Sequence, residues 1–180
     1  LGLCYLTPLL GGFVSDRFFG NRNCILLGGL MMAVGQLLLF TSASVFGSNL
    51  SLATTLMWSA LGIIVFGNGF FKPNISSMVG SLYPKQEKNK LDTAFTIFYM
   101  GINIGAFLGQ FICPFLGDVK DSGGIRDIHA FKWGFLAAAV AMLIGTVVFY
   151  VLKDKYVRTP EGHPIGGLPK NNLVSDFEEG

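Results

Sequence analysis

The sequence predicts an all-helical membrane protein, a bundle of bilayer-spanning segments, and three observations predict it. Hydrophobic residues make up 51% of the 180 positions and charged residues only 13%, where a soluble globular domain carries roughly 25% charge. The apolar residues gather in five runs, four of them long enough to cross a bilayer as helices. Lysine and arginine are shared unevenly between alternate linkers, the pattern that sets orientation in a membrane.

Taken in order, the runs are residues 1–14, 24–46, 52–82, 93–116 and 133–152. The first opens on Leu1 and would measure about 21 Å as a helix, against a hydrocarbon core of roughly 30 Å. It is therefore expected to be a truncated span, and the sequence a fragment. No basic segment precedes it in the manner of a signal peptide. Short linkers predict antiparallel neighbours. Arg17, Arg22, Lys85, Lys88, Lys90, Lys153, Lys155, Arg158 and Lys170 fall on one side, nine in all, against Lys120, Arg126 and Lys132 on the other. That bias places the end of the first span, and the C-terminal tail, in the cytoplasm; the plasma (inner) membrane is the expected location. Residues 1–156 read as the bundle. Residues 157–180, with Pro160, Pro164 and Pro169 spaced among Gly, Asn and acid, read as a cytoplasmic loop or linker towards something absent.

A net charge of +2 gives no support to nucleic-acid binding. Cys4, Cys24 and Cys113 have no ligand spacing and read as packing residues. His129 and His163 lie in loops and read as solvated. No catalytic motif, metal cluster or carboxylate pair lies inside the spans, so neither an enzyme nor a cofactor or metal site is expected.

The third run contains Lys72. An ammonium inside a span costs about 3 kcal/mol on insertion scales, so it is expected to face protein or water. Asn68, Lys72 and Ser76 recur every four residues and form one polar stripe on an apolar rod. Pro73 removes an amide donor and crowds the carbonyl of Gly69, which predicts a bend beside the charge. The competing reading is that Lys72 snorkels to the headgroups; against it, Lys85 lies thirteen residues on, about 20 Å along a helix axis.

The first run ends in a Gly11-Gly12 pair followed by Asp16 and Arg17. Paired glycines permit close helix contact, and an Asp-Arg pair at a helix mouth can latch neighbouring termini in one conformation and release them in another. Alternatively Asp16 caps a turn, and Arg17 and Arg22 only set topology. In the fourth run Gly101, Gly105 and Gly109 repeat every four residues, a smooth strip for helix packing. Tyr99 and Asn103 repeat likewise, with Tyr99 about 200° around from the strip. Asn103 points either at a partner helix or into a wet cavity. Tyr5 is either a pocket phenol or an interfacial anchor. Gly28, Gly29 and Gly35 of the second run, and Ala137 to Ala141 of the fifth, read as packing.

Residues 11–20 (GGFVSDRFFG), 69–77 (GFFKPNISS) and 95–107 (FTIFYMGINIGAF) together resemble the proton-dependent oligopeptide transporters of the major facilitator superfamily, the last closely resembling that family's signature. On this resemblance the chain is a partial N-terminal bundle, its five transmembrane segments similar to the second to sixth helices of a transporter. Its partners would be small peptides, protons and the lipid bilayer, together with a missing first helix and C-terminal bundle of the same polypeptide. The resemblance implies symport of di- and tripeptides by alternating access. It gives Lys72 proton coupling and the peptide carboxylate, Asn103 the peptide backbone, Tyr5 a place in the same pocket, and Asp16 and Arg17 a gating role. Two other readings remain open: a related carrier of another small solute such as nitrate, and a non-transporting membrane subunit that uses Lys72 for helix pairing.

Overall fold

The computed structural model describes residues 3–84, 87–120, 124, 130–159, 162 and 164–167, with side chains described from Leu6 onward. It is a helical bundle: α1 (Leu3–Val14), a π-helical turn (Ser15–Phe19), α2 (Gly20–Val45), α3 (Leu50–Gly80), α4 (Lys88–Gly117) and α5 (Phe131–Tyr156). The stretch Leu6–Val45 and the helices α3, α4 and α5 are each long and apolar enough to cross a membrane. At twelve residues α1 alone is about 18 Å long, short of a full span.

The chain reverses inside Leu6–Val45. Thr7 donates to the carbonyl of Val65 and Gly11 meets Gly69, so α1 runs parallel to α3. Gly28 meets Gly67 and Gly35 meets Ile64, so α2 runs antiparallel to it. Gly20 makes the reversal at φ 73° and ψ 154°, a conformation open essentially to glycine alone. At the other end of α2, Asn49 caps α3: its side-chain oxygen accepts from the Leu52 amide at 3.0 Å.

Sequence neighbours are not always spatial neighbours. α1 packs on α3 rather than on α2, and α2 packs on both α3 and α5. Gly29 sits against Thr146 and Phe40 against Trp133. α5 then packs on α4 through Cys113 and Gly134, whereas α3 and α4 meet sparingly, at Gly80 and Phe95. The order across the bundle is thus α1, α3, α2, α5, α4. The expectation that every short linker joins a packed pair is corrected here, because small residues decide the partners more than linker length does.

The close crossings are made by glycine and alanine. A Cβ on Gly28 would lie 2.6 Å from the Gly67 carbonyl oxygen, and one on Gly11 would collide with the Gly69 carbonyl. Ala53 and Ala60 of α3 and Ala33 of α2 are buried, and Ser42 donates to the Ala53 carbonyl at 2.6 Å. In lipid there is little hydrophobic drive between helices, so such backbone approach supplies much of the packing.

All helices except α1 begin before their apolar run, and α5 also continues past it. α4 takes in Lys88, Lys90 and Asp92, and α5 takes in Lys153, Asp154 and Lys155. Helical hydrogen bonding satisfies the backbone in water as well as in lipid, so hydropathy marks the hydrocarbon slab and not the helix end. α3 continues through Pro73 to Gly80.

Gly28→Leu is expected to destabilise the full-length protein by about 2 kcal/mol or more, because an overpacked crossing must shift backbone. Gly62→Ala, with nothing among the described residues within 4 Å of its added Cβ, is expected to change stability by less than about 0.5 kcal/mol. Thermal unfolding of the detergent-solubilised protein measures both.

Candidate functional site

Lys72 stands where the helical period places it, on the face of α3 turned away from α2. Gly67, Asn74 and Met78 are buried, and Asn74 donates to the Phe70 carbonyl at 2.6 Å, so that face is committed to packing. The polar stripe is on the other side. Lys72 is exposed, Asn68 and Ser76 are half-buried, and Ser76 donates to the Lys72 carbonyl at 3.2 Å. Pro73 leaves the Gly69 carbonyl without its usual helical donor. Among the described residues the Lys72 ammonium has no hydrogen bond and no ion pair.

On α4, Tyr99 and Asn103 line one open groove with Thr96, Met100, Ile104 and Phe107. The Asn103 amide makes no side-chain hydrogen bond among the described residues, so it glues none of the described helices. Tyr99 is 55% exposed and stacks beside Phe95 at 6.3 Å between ring centres. Tyr99 and Asn103 therefore share one surface. Lys72 does not line that groove.

The glycine strip is a correction as far as this chain is concerned. Among the described residues, a Cβ on Gly101, Gly105 or Gly109 would meet nothing within 4 Å. Periodicity marks the strip but cannot say which polypeptide segment would cover it. Tyr5 falls in α1, with its side chain outside the described residues; His129, His163 and Lys170 lie outside them altogether.

Asp16 and Arg17 occupy the π-helical turn, both exposed and neither making an ion pair or side-chain hydrogen bond among the described residues. The contacts at this end are made by the next residues along. Ser15 donates to the Asn21 side-chain oxygen at 2.7 Å, and the Asn21 amide donates to Ser77 at 3.2 Å, which ties the turn to α3. Arg22 pairs with Asp154 at 2.8 Å and ties α2 to α5. Sequence reasoning read Arg22 only as a topology charge. The missed signal is Asp154, an acid set inside a basic run at the end of a span.

Long apolar helices held by small-residue crossings, with a charged polar stripe turned off the packed faces, define an integral-membrane helical bundle. The chain belongs to the POT family, whose model matches residues 22–170. It is 33% identical over 176 residues to a di-/tripeptide transporter of Lactobacillus helveticus, covering 96% of this chain and 33% of that protein. It is 34% identical over 173 residues to a di-/tripeptide transporter of Lactococcus lactis subsp. lactis (strain IL1403), covering 96% and 30%. Among solved structures, it superposes with a TM-score of 0.70 and 29% identity on a POT family transporter in complex with 5-aminolevulinic acid, covering 98% of this chain and 32% of that one. A crystal structure of peptide transporter POT in complex with sulfate matches with a TM-score of 0.70 and 30% identity, covering 98% and 32%. The chain thus spans about a third of the length of the relatives it matches. Its fold is part of a major facilitator bundle, in a family of transporters and not of enzymes.

In a cysteine-free background of the full-length protein, Lys72→Cys is expected to react with a membrane-impermeant maleimide. Asn74→Cys, at a position only 2% exposed, is expected to stay unlabelled. Equal labelling of the two, read by mass spectrometry, would contradict the two-faced assignment of α3.

Proposed function

We propose that this chain is the N-terminal part of a proton-coupled symporter of di- and tripeptides that works by alternating access in the plasma membrane, with the end of α5 in the cytoplasm. The observation that carries the reading is Lys72, an intramembrane ammonium without a protein counter-charge among the described residues, in a chain of the POT family.

The chemistry follows from what short peptides share. Each is a zwitterion with at least one amide, so a pocket that accepts many side chains must hold termini and backbone. Lys72 supplies the positive pole for the carboxylate, Asn103 donates to and accepts from the amide, and the Tyr5 phenol reaches the remainder. A carboxylic acid elsewhere in the protein pairs with Lys72 when no peptide is present. When the peptide carboxylate takes the ammonium, that acid loses its counter-charge, its proton affinity rises, and it takes up a proton. Binding and protonation are thereby linked through one cation.

Alternating access needs a contact made in one state and broken in the other. Asp16 and Arg17, exposed at the mouth of α1, are suited to pair with helix ends outside this chain. Gly101, Gly105 and Gly109 offer a smooth face to a helix from the rest of the protein.

Lys72→Ala in the full-length protein is expected to abolish proton-driven peptide accumulation in proteoliposomes; accumulation at the wild-type level would remove Lys72 from the mechanism. Asn103→Ala is expected to weaken dipeptide binding by about 1 kcal/mol, roughly fivefold, with thermal stability unchanged. Competition by nitrate in place of dipeptides would redirect the reading to another solute, and an absence of any peptide-dependent proton flux would favour a non-transporting subunit.

A further inference from the structure

The segment that follows α5 is fastened to the bundle rather than merely tethered. Arg22, at the start of α2, donates Nε to the Ile165 carbonyl, Nη1 to Asp154 Oδ1 at 2.8 Å, and Nη2 to the carbonyls of Val157 at 2.7 Å and Lys153 at 3.3 Å. Its own backbone amide donates to the Gly166 carbonyl at 3.0 Å. One guanidinium therefore joins the first turn of α2, the last turn of α5 and a point eight residues beyond Val157. A planar fork of five donors suits such convergent carbonyls, and an ammonium does not.

The segment is shaped to receive it. Arg158 and Pro164 pair as an antiparallel bridge, the Gly162 amide donates to the Thr159 carbonyl at 2.8 Å, and the Ile165 amide donates back to Val157 at 3.3 Å. The fold-back carries Ile165 into the gap between α2, α3 and α5. There it is only 6% exposed and packs with Ile25 and Met78, beside Phe149. Gly166, at φ 71°, lies with its would-be Cβ 3.1 Å from the Met78 methyl and 3.2 Å from the Asn21 Cβ. Gly20 lacks a side chain where one would strike the Gly167 carbonyl. Polar clasp and apolar plug act on the same few residues.

We infer that the described residues after α5, 157–159, 162 and 164–167, form a strap, with Arg22 as its positioning residue and Ile165 as its plug, which fixes the direction in which the polypeptide leaves the bundle. Whatever follows Gly167 then starts from a point that moves with α2 and α5 as one body, and motion of the bundle is transmitted to it instead of being absorbed in a slack loop.

Hydrogen exchange on the full-length protein in nanodiscs tests this without any transported solute, so its outcome is separate from that of the peptide assignment. In the wild type the amides of Arg22 and Ile165 are expected to be protected. Arg22→Ala is expected to speed exchange across residues 157–167 by about tenfold or more, with the central turns of α2 and α3 unchanged. Arg22→Lys keeps the charge facing Asp154 but not the fork, and is expected to fall between. Ile165→Ala, which leaves the clasp in place, is expected to loosen the same segment by a smaller factor. Exchange of residues 157–167 at unstructured-peptide rates in the wild type would overturn the strap. So would an Arg22→Ala effect that raises exchange in α2 and α3 by the same factor as in the segment.

Discussion

The structure depends on how closely the backbones of α1 and α2 approach α3. Gly11 lies against Gly69 and Gly28 against Gly67, and at both crossings a methyl group on the first glycine would strike a carbonyl of α3. In water such contacts would be minor beside apolar burial. In lipid the side chains of a separated helix are already in an apolar medium, so burying leucine adds little, and short-range dispersion between backbones becomes the term that distinguishes packed from unpacked. The same logic explains why so many large apolar side chains are exposed. Phe115 is 85% exposed and Leu9 73%, and in this setting they are surfaces for lipid or for other helices rather than defects.

This constraint also places the polar stripe. Two residues of α3 that are close in sequence, Lys72 and Asn74, are about 160° apart around the helix. Since the Asn74 side belongs to the crossing with α2, the Lys72 side is left for whatever is not α2. α1 touches α3 at Val65 and Gly69, and among its described side chains, from Leu6 onward, none pairs with the ammonium. The position of the charge is a by-product of packing on the opposite face. A substitution that rotated α3 would displace the charge without touching it.

Much of this was legible from the sequence. Hydrophobic runs gave five segments, four-residue repeats gave the stripe on α3 and the strip on α4, and three motifs gave the family to which the chain belongs. What could not be read has physical causes. Helix ends were missed at Lys88 and Tyr156 because charged residues in the terminal turns lie outside the hydrocarbon yet keep helical hydrogen bonds. The pairing of α1 with α3 was missed because it depends on two glycines more than fifty residues apart. Residues 157–180 read as a loop because Pro160, Pro164 and Pro169 are spaced among Gly, Asn and acid, and composition does not reveal that the carbonyls of Ile165 and Gly166 meet an arginine.

The two cations, Arg22 and Lys72, are best understood against each other. Both sit in long helices, and both would be costly if left desolvated without partners. Arg22 has a carboxylate and three carbonyls, so its charge is spread over fixed acceptors and its geometry is set; a ligand anion would have to break those bonds first. Lys72 has none of these among the described residues. An ammonium on a flexible stem, strongly hydrated and with three rotatable donors, is tolerable at that depth only when water or an exchangeable anion meets it. Hence the saturated cation belongs to the scaffold, and the unsaturated one is the cation to which the proposed function assigns the solute. The difference is one of acceptor count, visible only once the fold has brought the end of α5 to the start of α2.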